Sequence, residues 1–334
     1  MAGALVLLSA YNGARYIAEQ IESIRSQSYK NWQLIIRDDG SDDDTPGIID
    51  QFCGRDKRIS QLAHGEPNVG PSASFARLLS HAYRTGAQYV FLSDQDDVWL
   101  PEKMEQQLTL LSTVERGGTR RVLVHSDLVV VDDKLRKVHD SFSSFQRSSY
   151  NSNDPLSTLL IHNAVVGCTI AINRPLLEFS LPLPESSPHD WWLALCSAAS
   201  GYIVRTTKPT VLYRQHSRNV VGAASPRRAF FRQLLLHPFS YPAATFRDFS
   251  AGVDQAWRLA RRIRDRGVAD PRVLERVEQY CDAFDDNAST IGRLRSLSDS
   301  DARPQRFVSK VIIRILSAAY PWAEKLTAKP NQAG

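Results

Sequence analysis

Short apolar runs alternate with amphipathic stretches along the first 130 residues. Leu5–Leu8 is an apolar run stopped by Ser9-Ala10-Tyr11-Asn12-Gly13, after which Tyr16, Ile17, Gln20, Ile21 and Ile24 recur at helical spacing. Trp32–Ile36 is the next strand-like run and ends in Asp38-Asp39-Gly40-Ser41. The turn Asn68-Val69-Gly70-Pro71 leads into a second helical face of Phe75, Leu78, Leu79 and Ala82. Tyr89–Leu92 is a third strand, closed by Ser93-Asp94-Gln95-Asp96-Asp97, and Met104, Leu108 and Leu111 mark the following helix. Val122–Val124 and Leu128–Val131 extend the same pattern. Apolar runs separated by amphipathic segments of this length predict βαβ units and a mixed, mostly parallel sheet. Ligands of such sheets bind at the carboxyl ends of the strands, where three polar clusters here converge.

The pattern then changes twice. Residues 141–160 are rich in Ser and Asn and read as a mobile loop or excursion. Cys168–Ile172 reads as a strand, Pro182, Pro184 and Pro188 as a loop, and Asp190–Leu195 as the opening of a helix. Val211-Leu212-Tyr213 closes the α/β region at about residue 225. Beyond it, Phe230, Phe231, Leu234, Leu259, Ile263, Leu274, Val277 and Cys281 predict a helical region over 226–330.

Charge separates the same two regions. Residues 226–334 carry 19 Lys+Arg against 12 Asp+Glu, whereas residues 1–225 carry 22 against 24. The basic surplus therefore sits in the helical region and suits an anionic membrane surface or a nucleic acid. Hydrophobic residues make up 43% of 334, which excludes wholesale disorder. The four cysteines form no CxxC pair, so zinc-ribbon and thioredoxin-type readings fail and reduced thiols of a cytoplasmic protein are expected. The apolar run at the N-terminus lacks a basic leader and is too short to span a bilayer.

The strand-end clusters carry the candidate chemistry. In an extended segment Asp94 and Asp96 point to one side, and two carboxylates so placed repel each other unless a cation lies between them. Mg²⁺ or Mn²⁺ suits such oxygen ligands; an acidic turn capping the next helix is the alternative. Asp38 and Asp39 are placed to accept hydrogen bonds from a nucleoside or to cap a turn shaped by Gly40. Asp190 is a helix cap or a general base, and Trp191 and Trp192 are a sugar-stacking wall or helix core. Arg214 is a phosphate ligand candidate and His216 a metal ligand candidate. No GxGxxG after strand one, GxxxxGK[ST], GxSxG or HExxH occurs, so nicotinamide, Walker-type and those hydrolase readings lose their support.

Taken in order, these motifs resemble family 2 glycosyltransferases of the GT-A fold, over about residues 4–220. The resemblance rests on Ser9-Ala10-Tyr11-Asn12, Ile36-Arg37-Asp38-Asp39-Gly40-Ser41, Asn68-Val69-Gly70 and the DxD-type run Leu92–Trp99. A bacterial rhamnosyltransferase-like branch is similar in Ser93–Trp99, His189-Asp190-Trp191-Trp192 and Tyr213-Arg214-Gln215-His216. The resemblance implies an inverting, metal-dependent hexosyltransferase. Its donor would be dTDP-rhamnose, or alternatively a UDP-sugar. Its acceptor would be a glycan or polyprenyl-diphosphate-linked glycan of bacterial surface polysaccharide (O-antigen) synthesis. Asp190 would be the base, with His189 standing where the family commonly has Glu. Asp94, Asp96 and His216 would hold Mg²⁺ or Mn²⁺. Ala10, Tyr11, Asn12, Asp38, Asp39, Asn68, Asp94, Gln95 and Arg214 would bind the donor, and Trp99, His189, Trp191 and Trp192 would face the acceptor. Residues 226–330 would rest on the inner face of the cytoplasmic membrane, or pack on the catalytic domain or a second copy. A nucleotidyltransferase and a basic binding module are the competing classes. The first lacks a Gly-rich basic loop after strand one, and the acidic strand ends would repel nucleic acid.

Overall fold

In the computed structural model, residues 3–63, 65–146, 151–184, 187–216, 240–268 and 270–282 are described, residues 240–251 by their backbone alone. They fall into two units. The first holds residues 3–146 and 164–216; the second holds 151–163 with 240–282.

The first unit is a three-layer α/β structure. A seven-stranded sheet is built from β1 (Ala4–Ala10), β2 (Trp32–Asp38), β3 (Ile59–Gln61), β4 (Tyr89–Ser93), β6 (Val122–His125), β9 (Ala171–Asn173) and β10 (Tyr202–Arg205). Their spatial order is β10-β6-β9-β4-β1-β2-β3. Only β9 runs antiparallel to its neighbours, β4 and β6. β1 is central, with Leu7 opposite Ile35 on β2 and Leu92 on β4. Central parallel strands are covered on both faces, so they appear as continuous apolar runs rather than alternations. Val6, Leu7 and Leu8 are accordingly all buried.

The covering helices are α1 (Ile17–Arg25), α2 (Thr45–Arg55), α3 (Pro71–Arg84), α4 (Lys103–Glu115), α7 (Arg174–Ser180) and α8 (His189–Ser200). Helix α3 buries Ser74, Phe75, Leu78, Leu79 and Ala82, the face its 3.6-residue spacing dictates. Pro71 opens it, where a missing N–H costs nothing.

Two expectations change. Leu128–Val131 does not extend the main sheet. It is β7 of a separate four-stranded sheet, with β5 (Val98–Trp99), β8 (Lys137–His139) and β11 (Val211–Arg214), ordered β5-β11-β7-β8. Asp127 enforces the break by accepting from the Leu128 N–H. Cys168 is not in a strand either: Gly167–Thr169 is a 3₁₀ turn, tied by Thr169 N–H and Oγ1 to Val166 O, and the strand begins only at Ala171.

The Ser-rich segment begins with a short helix, α5 (Phe142–Phe145), rather than a bare loop. Asp127 anchors it, accepting from Ser141 Oγ (2.6 Å), Ser143 N–H (3.1 Å) and Ser143 Oγ (2.9 Å). In the second unit, α6 (Pro155–Leu159) lies with α9 (Ser240–Arg266) and α10 (Pro271–Asp282). Arg276 on α10 donates to Asp154 (2.8 Å) and Ser157 Oγ (2.7 Å), joining residues far apart in sequence. The apolar residues placed at 230–235 and after 282 lie outside the described residues.

Candidate active site

The carboxyl ends of β1, β2 and β4 meet at one sheet edge. At the end of β1 the chain turns through Asn12, which adopts a left-handed φ of 49°. That turn brings Tyr11 against Gln95 from the loop after β4. Gln95 Oε1 accepts from Tyr11 N–H (2.6 Å) and its Nε2 donates to Tyr11 O (2.8 Å). A Cβ on Gly13 would fall inside the Gln95 side chain, so only glycine fits beneath this clip. Asn12 N–H donates to Ser41 Oγ (2.9 Å), and its side-chain oxygen accepts from Asp42 N–H (2.9 Å). The Tyr11 ring is left 47% exposed, free to stack on a flat partner. Gln95 was expected to contact the donor; both ends of its amide instead join two strand ends. Ala10 is buried, and its carbonyl accepts from Asp39 N–H (2.7 Å).

The two aspartates after β2 are held differently from expectation. Asp39 is buried, and its oxygens accept from Val69 N–H (3.0 Å), Gly70 N–H (2.9 Å) and the fully buried Arg37 guanidinium. Its position as a nucleoside contact is corrected on that ground: the carboxylate clamps the Asn68–Gly70 turn and neutralises Arg37. Asp38 accepts from Ser41 N–H (3.1 Å) and Ser41 Oγ (2.5 Å), the Asx turn that Gly40 completes with φ +80°. Asn68 is exposed, with its carbonyl oxygen accepting from Gly70 N–H (3.1 Å).

After β4 the acids crowd together. Asp96 Oδ2 lies 2.9 Å from His216 Nε2, and the His216 ring stacks on Tyr16 with centroids 4.9 Å apart. Burial, with the charges of Asp96 and Asp190 added, pushes the Asp94 carboxyl up to about 7. Asp97 is wholly buried; its Oδ1 accepts from Arg214 N–H (3.3 Å) and its Oδ2 has no hydrogen-bond partner. Desolvation, followed by Asp96 and Asp94, pushes it well above the carboxylate range. Two carboxylates and an imidazole at one place form an oxygen-and-nitrogen ligand set that suits Mg²⁺ or Mn²⁺. The repulsion felt at Asp94 is what such an ion relieves, so Asp94, Asp96 and His216 fit a divalent cation.

Arg214 is corrected as a phosphate ligand. It is 1% exposed and donates to Asp96 O (2.9 Å), Asp133 O (2.7 Å) and Glu19 Oε2 (2.5 Å). Its guanidinium is a brace for the acidic loop. Gln20, next to Glu19 on α1, braces the same loop. With its amide oriented to satisfy both ends, it donates to Asp97 O (2.6 Å) and accepts from Ser93 Oγ (2.6 Å) and Trp99 Nε1 (3.2 Å).

Asp190 stands on the first turn of α8, where its Oδ1 accepts from Trp191 N–H (2.7 Å). His189 stacks on Phe75 with centroids 3.9 Å apart; burial lowers its pKa, and its Nε2 has no partner. Both side chains close over Gly167, where a Cβ would sit 3.1 Å from His189 Nε2 and 3.5 Å from Asp190 Cβ. The tryptophans divide. Trp192 is fully buried with Nε1 donating to Ser180 O (2.9 Å), and Trp99 is buried against Phe91. Neither reaches an acceptor, because both are core; Trp191 is 7% exposed.

Several members of this site escaped the sequence pattern. Arg37, Gln20, Glu19 and Lys103 sit inside helical or strand periods and carry no motif of their own. Only the burial of a charged or amide side chain at an apolar position marks them.

A mostly parallel α/β sheet with an acidic strand-end site and one antiparallel insertion is the GT-A architecture. The chain matches the model of glycosyl transferase family 2 over residues 5–178, and it belongs to that family. It is 27% identical over 195 residues to WfgD of Escherichia coli, a UDP-Glc:alpha-D-GlcNAc-diphosphoundecaprenol beta-1,3-glucosyltransferase, covering 57% of this chain and 68% of that one. It is 29% identical over 240 residues to RfbG of Shigella flexneri, a dTDP-rhamnosyl transferase, covering 68% and 78%. The fold resembles that of S. aureus TarS 1–349 crystallised with UDP-GlcNAc, with a TM-score of 0.55, 15% identity and coverage of 97% and 92%.

Proposed function

We propose that this protein is an inverting glycosyltransferase that moves a sugar from a nucleotide-sugar, dTDP-rhamnose first among the candidates, to a glycan carried on a polyprenyl diphosphate. The observation that carries the reading is the pairing of Asp190 with the acidic loop. Its carboxylate lies within electrostatic reach of Asp94, on the same sheet edge as the exposed ring of Tyr11. The names of RfbG and WfgD support the donor and the lipid-linked acceptor respectively.

The chemistry follows from the residues. Tyr11 stacks on the base, and Asn12 and Asn68 line its edge. Asp190 is held by Trp191 N–H through one oxygen and presents the other to the acceptor hydroxyl. As the acceptor oxygen bonds to the anomeric carbon, its proton passes to Asp190. The bond from that carbon to the diphosphate oxygen breaks on the opposite face, and the electron pair leaves with the nucleoside diphosphate. The configuration inverts, and no covalent sugar–enzyme bond forms. A divalent cation bound by Asp94, Asp96 and His216 would neutralise the charge that builds on the leaving diphosphate.

The basic helical region is assigned to the surface where such an acceptor resides, the inner face of the cytoplasmic membrane. No helix among the described residues is long and apolar enough to cross a membrane. Arg258 pairs with Asp254 and Arg264 with Glu278, so Arg261, Arg262 and Arg266 carry the surplus that anionic lipid would meet. Flotation of the full chain with anionic but not with neutral vesicles is expected; equal recovery from both would remove the assignment.

Thermal shift and slow donor hydrolysis across dTDP-rhamnose, UDP-glucose, UDP-N-acetylglucosamine and GDP-mannose, with Mn²⁺, Mg²⁺ or EDTA, test the reading. A metal-dependent response to dTDP-rhamnose is expected. A response confined to a UDP-sugar would reassign the donor, and none to any nucleotide would overturn the enzyme.

A further inference from the structure

Lys103 opens α4 and is wholly buried. A buried ammonium is costly unless hydrogen-bonded and electrically balanced. Its Nζ donates to Gln107 Oε1 (2.7 Å) and Thr169 O (3.3 Å), and lies 4.7 Å from the centroid of the Trp99 ring. Among the described residues it forms no ion pair. The negative groups that act on it are Asp97 and Cys168. Asp97 closes the acidic loop and keeps one buried oxygen without a hydrogen bond. Cys168 belongs to the 3₁₀ turn whose first residue, Gly167, lies under Asp190. The carbonyl of the third residue, Thr169, takes both Lys103 and Gln107 Nε2 (2.6 Å). One lysine thus touches the turn beneath the candidate base and faces the last acid of the candidate cation loop.

We propose that Lys103 is a positioning residue, the internal counter-charge of the Asp94–Asp97 loop, in electrostatic competition with the divalent cation that the loop receives. This rests on the cation reading above. Four carboxylates crowd this edge, while the nearby Arg214 spends its donors on Asp96 O, Asp133 O and Glu19. Lys103 is then the cation left to oppose Asp97. Removing its charge leaves the loop under-compensated in the absence of metal. The same loss makes the loop a stronger seat for a divalent ion, because metal and lysine answer one negative field and their effects are linked.

The full chain is compared with Lys103→Met, Lys103→Gln, Asp97→Asn and Lys103→Met/Asp97→Asn at pH 6.5, by thermal unfolding in EDTA and across a MnCl₂ titration without nucleotide. Lys103→Met is expected to melt lower in EDTA, to gain more from Mn²⁺ than the wild type, and to reach half its shift at roughly 5-fold lower Mn²⁺. Lys103→Gln keeps a donor for Thr169 O and should show the same Mn²⁺ response with a smaller loss in EDTA. Asp97→Asn alone should weaken Mn²⁺ binding, since the ammonium then opposes the ion unbalanced. Added to Lys103→Met, it should restore part of the stability lost in EDTA, a non-additive cycle that a packing role does not produce.

An equal Mn²⁺ response in wild type and lysine variants, or a strictly additive cycle, would overturn the role of Lys103. If neither lysine variant folds, an unchanged Mn²⁺ response in Asp97→Asn does so. No Mn²⁺ shift in the wild type would instead overturn the cation reading and the competition with it, while the EDTA cycle still reads the Lys103–Asp97 coupling.

Discussion

Asp39 and Asp94 end neighbouring strands of one sheet edge, yet their surroundings have opposite electrical character. Around Asp39 are two backbone N–H groups and a buried guanidinium, all donors. Around Asp94 are Asp96 and Asp190, both acids. The first carboxylate is complete within the protein and works as a structural clamp. The second is left in mutual repulsion, the state expected of a group whose partner arrives with substrate. Motif spelling cannot separate the two, because both are aspartates at strand ends; the distribution of donors separates them at once.

The largest expected effect lies on the repulsive side. Asp190→Asn keeps the side chain's shape and its bond from Trp191 N–H, but removes the proton acceptor. Initial-rate kinetics should show a loss of about 10²–10⁴-fold in kcat, with donor binding retained. A rate within a few-fold of wild type would remove Asp190 as base.

On the clamped side the same kind of substitution should strike stability instead. Asp39→Asn removes the charge opposite Arg37, which is 0% exposed at its side chain. Breaking a buried pair by removing one partner costs about 3–5 kcal/mol. Urea unfolding should report that loss, with the pairing of Arg37 and Glu66 recovering part of it. A loss below about 1 kcal/mol, the worth of an exposed pair, would mean that the clamp is an ordinary surface turn.

Tyr11 sharpens the contrast from a third position. Its ring is exposed while its backbone is clipped by Gln95. Tyr11→Ala should leave unfolding almost unchanged and weaken nucleotide binding by about 1–3 kcal/mol, the worth of one base–aromatic stack. Calorimetric titration with dTDP and UDP checks it. Unchanged affinity for both would place the base elsewhere.

Much of this arrangement was legible in the sequence. The strand–helix alternation, the three polar strand ends and the helix opening at Asp190 follow from hydrophobic period and turn chemistry alone, and the family resemblance reached the membership that the family model shows. What could not be read was which polar residue faces inward. Arg37 occupies a strand position that alternation alone does not mark as buried. Arg214 looks like a phosphate ligand until its three acceptors are seen. Trp99 and Trp192 look like sugar platforms until their burial is known. The Gly167–Thr169 turn hid inside an apolar run, because a single side-chain bond from Thr169 to Val166 O decides it. Each of these is a tertiary fact, set by partners dozens of residues away.

The smallest effect carries the most diagnostic sign. The Asp94 carboxyl rises from 3.8 to about 7 in the fold. Between those values the native chain keeps a proton that the unfolded chain has lost. Stability in EDTA should therefore fall as pH rises from about 4 to about 7, with a contribution of at most about 1.4 kcal/mol per pH unit for one proton. This is opposite to the usual salt-bridged aspartate, which loses stability as pH falls. Asp94→Asn has no such proton to lose, so its unfolding free energy should decline less over that range and match or exceed the wild type at pH 7. Saturating Mn²⁺ should flatten the wild-type slope as well, since a cation rewards the ionised form. Guanidinium titrations at pH 4.5, 6 and 7.5, with and without Mn²⁺, read all three. A variant as pH-dependent as the wild type would show that Asp94 is as well compensated as Asp39, and the difference between the two strand ends would vanish.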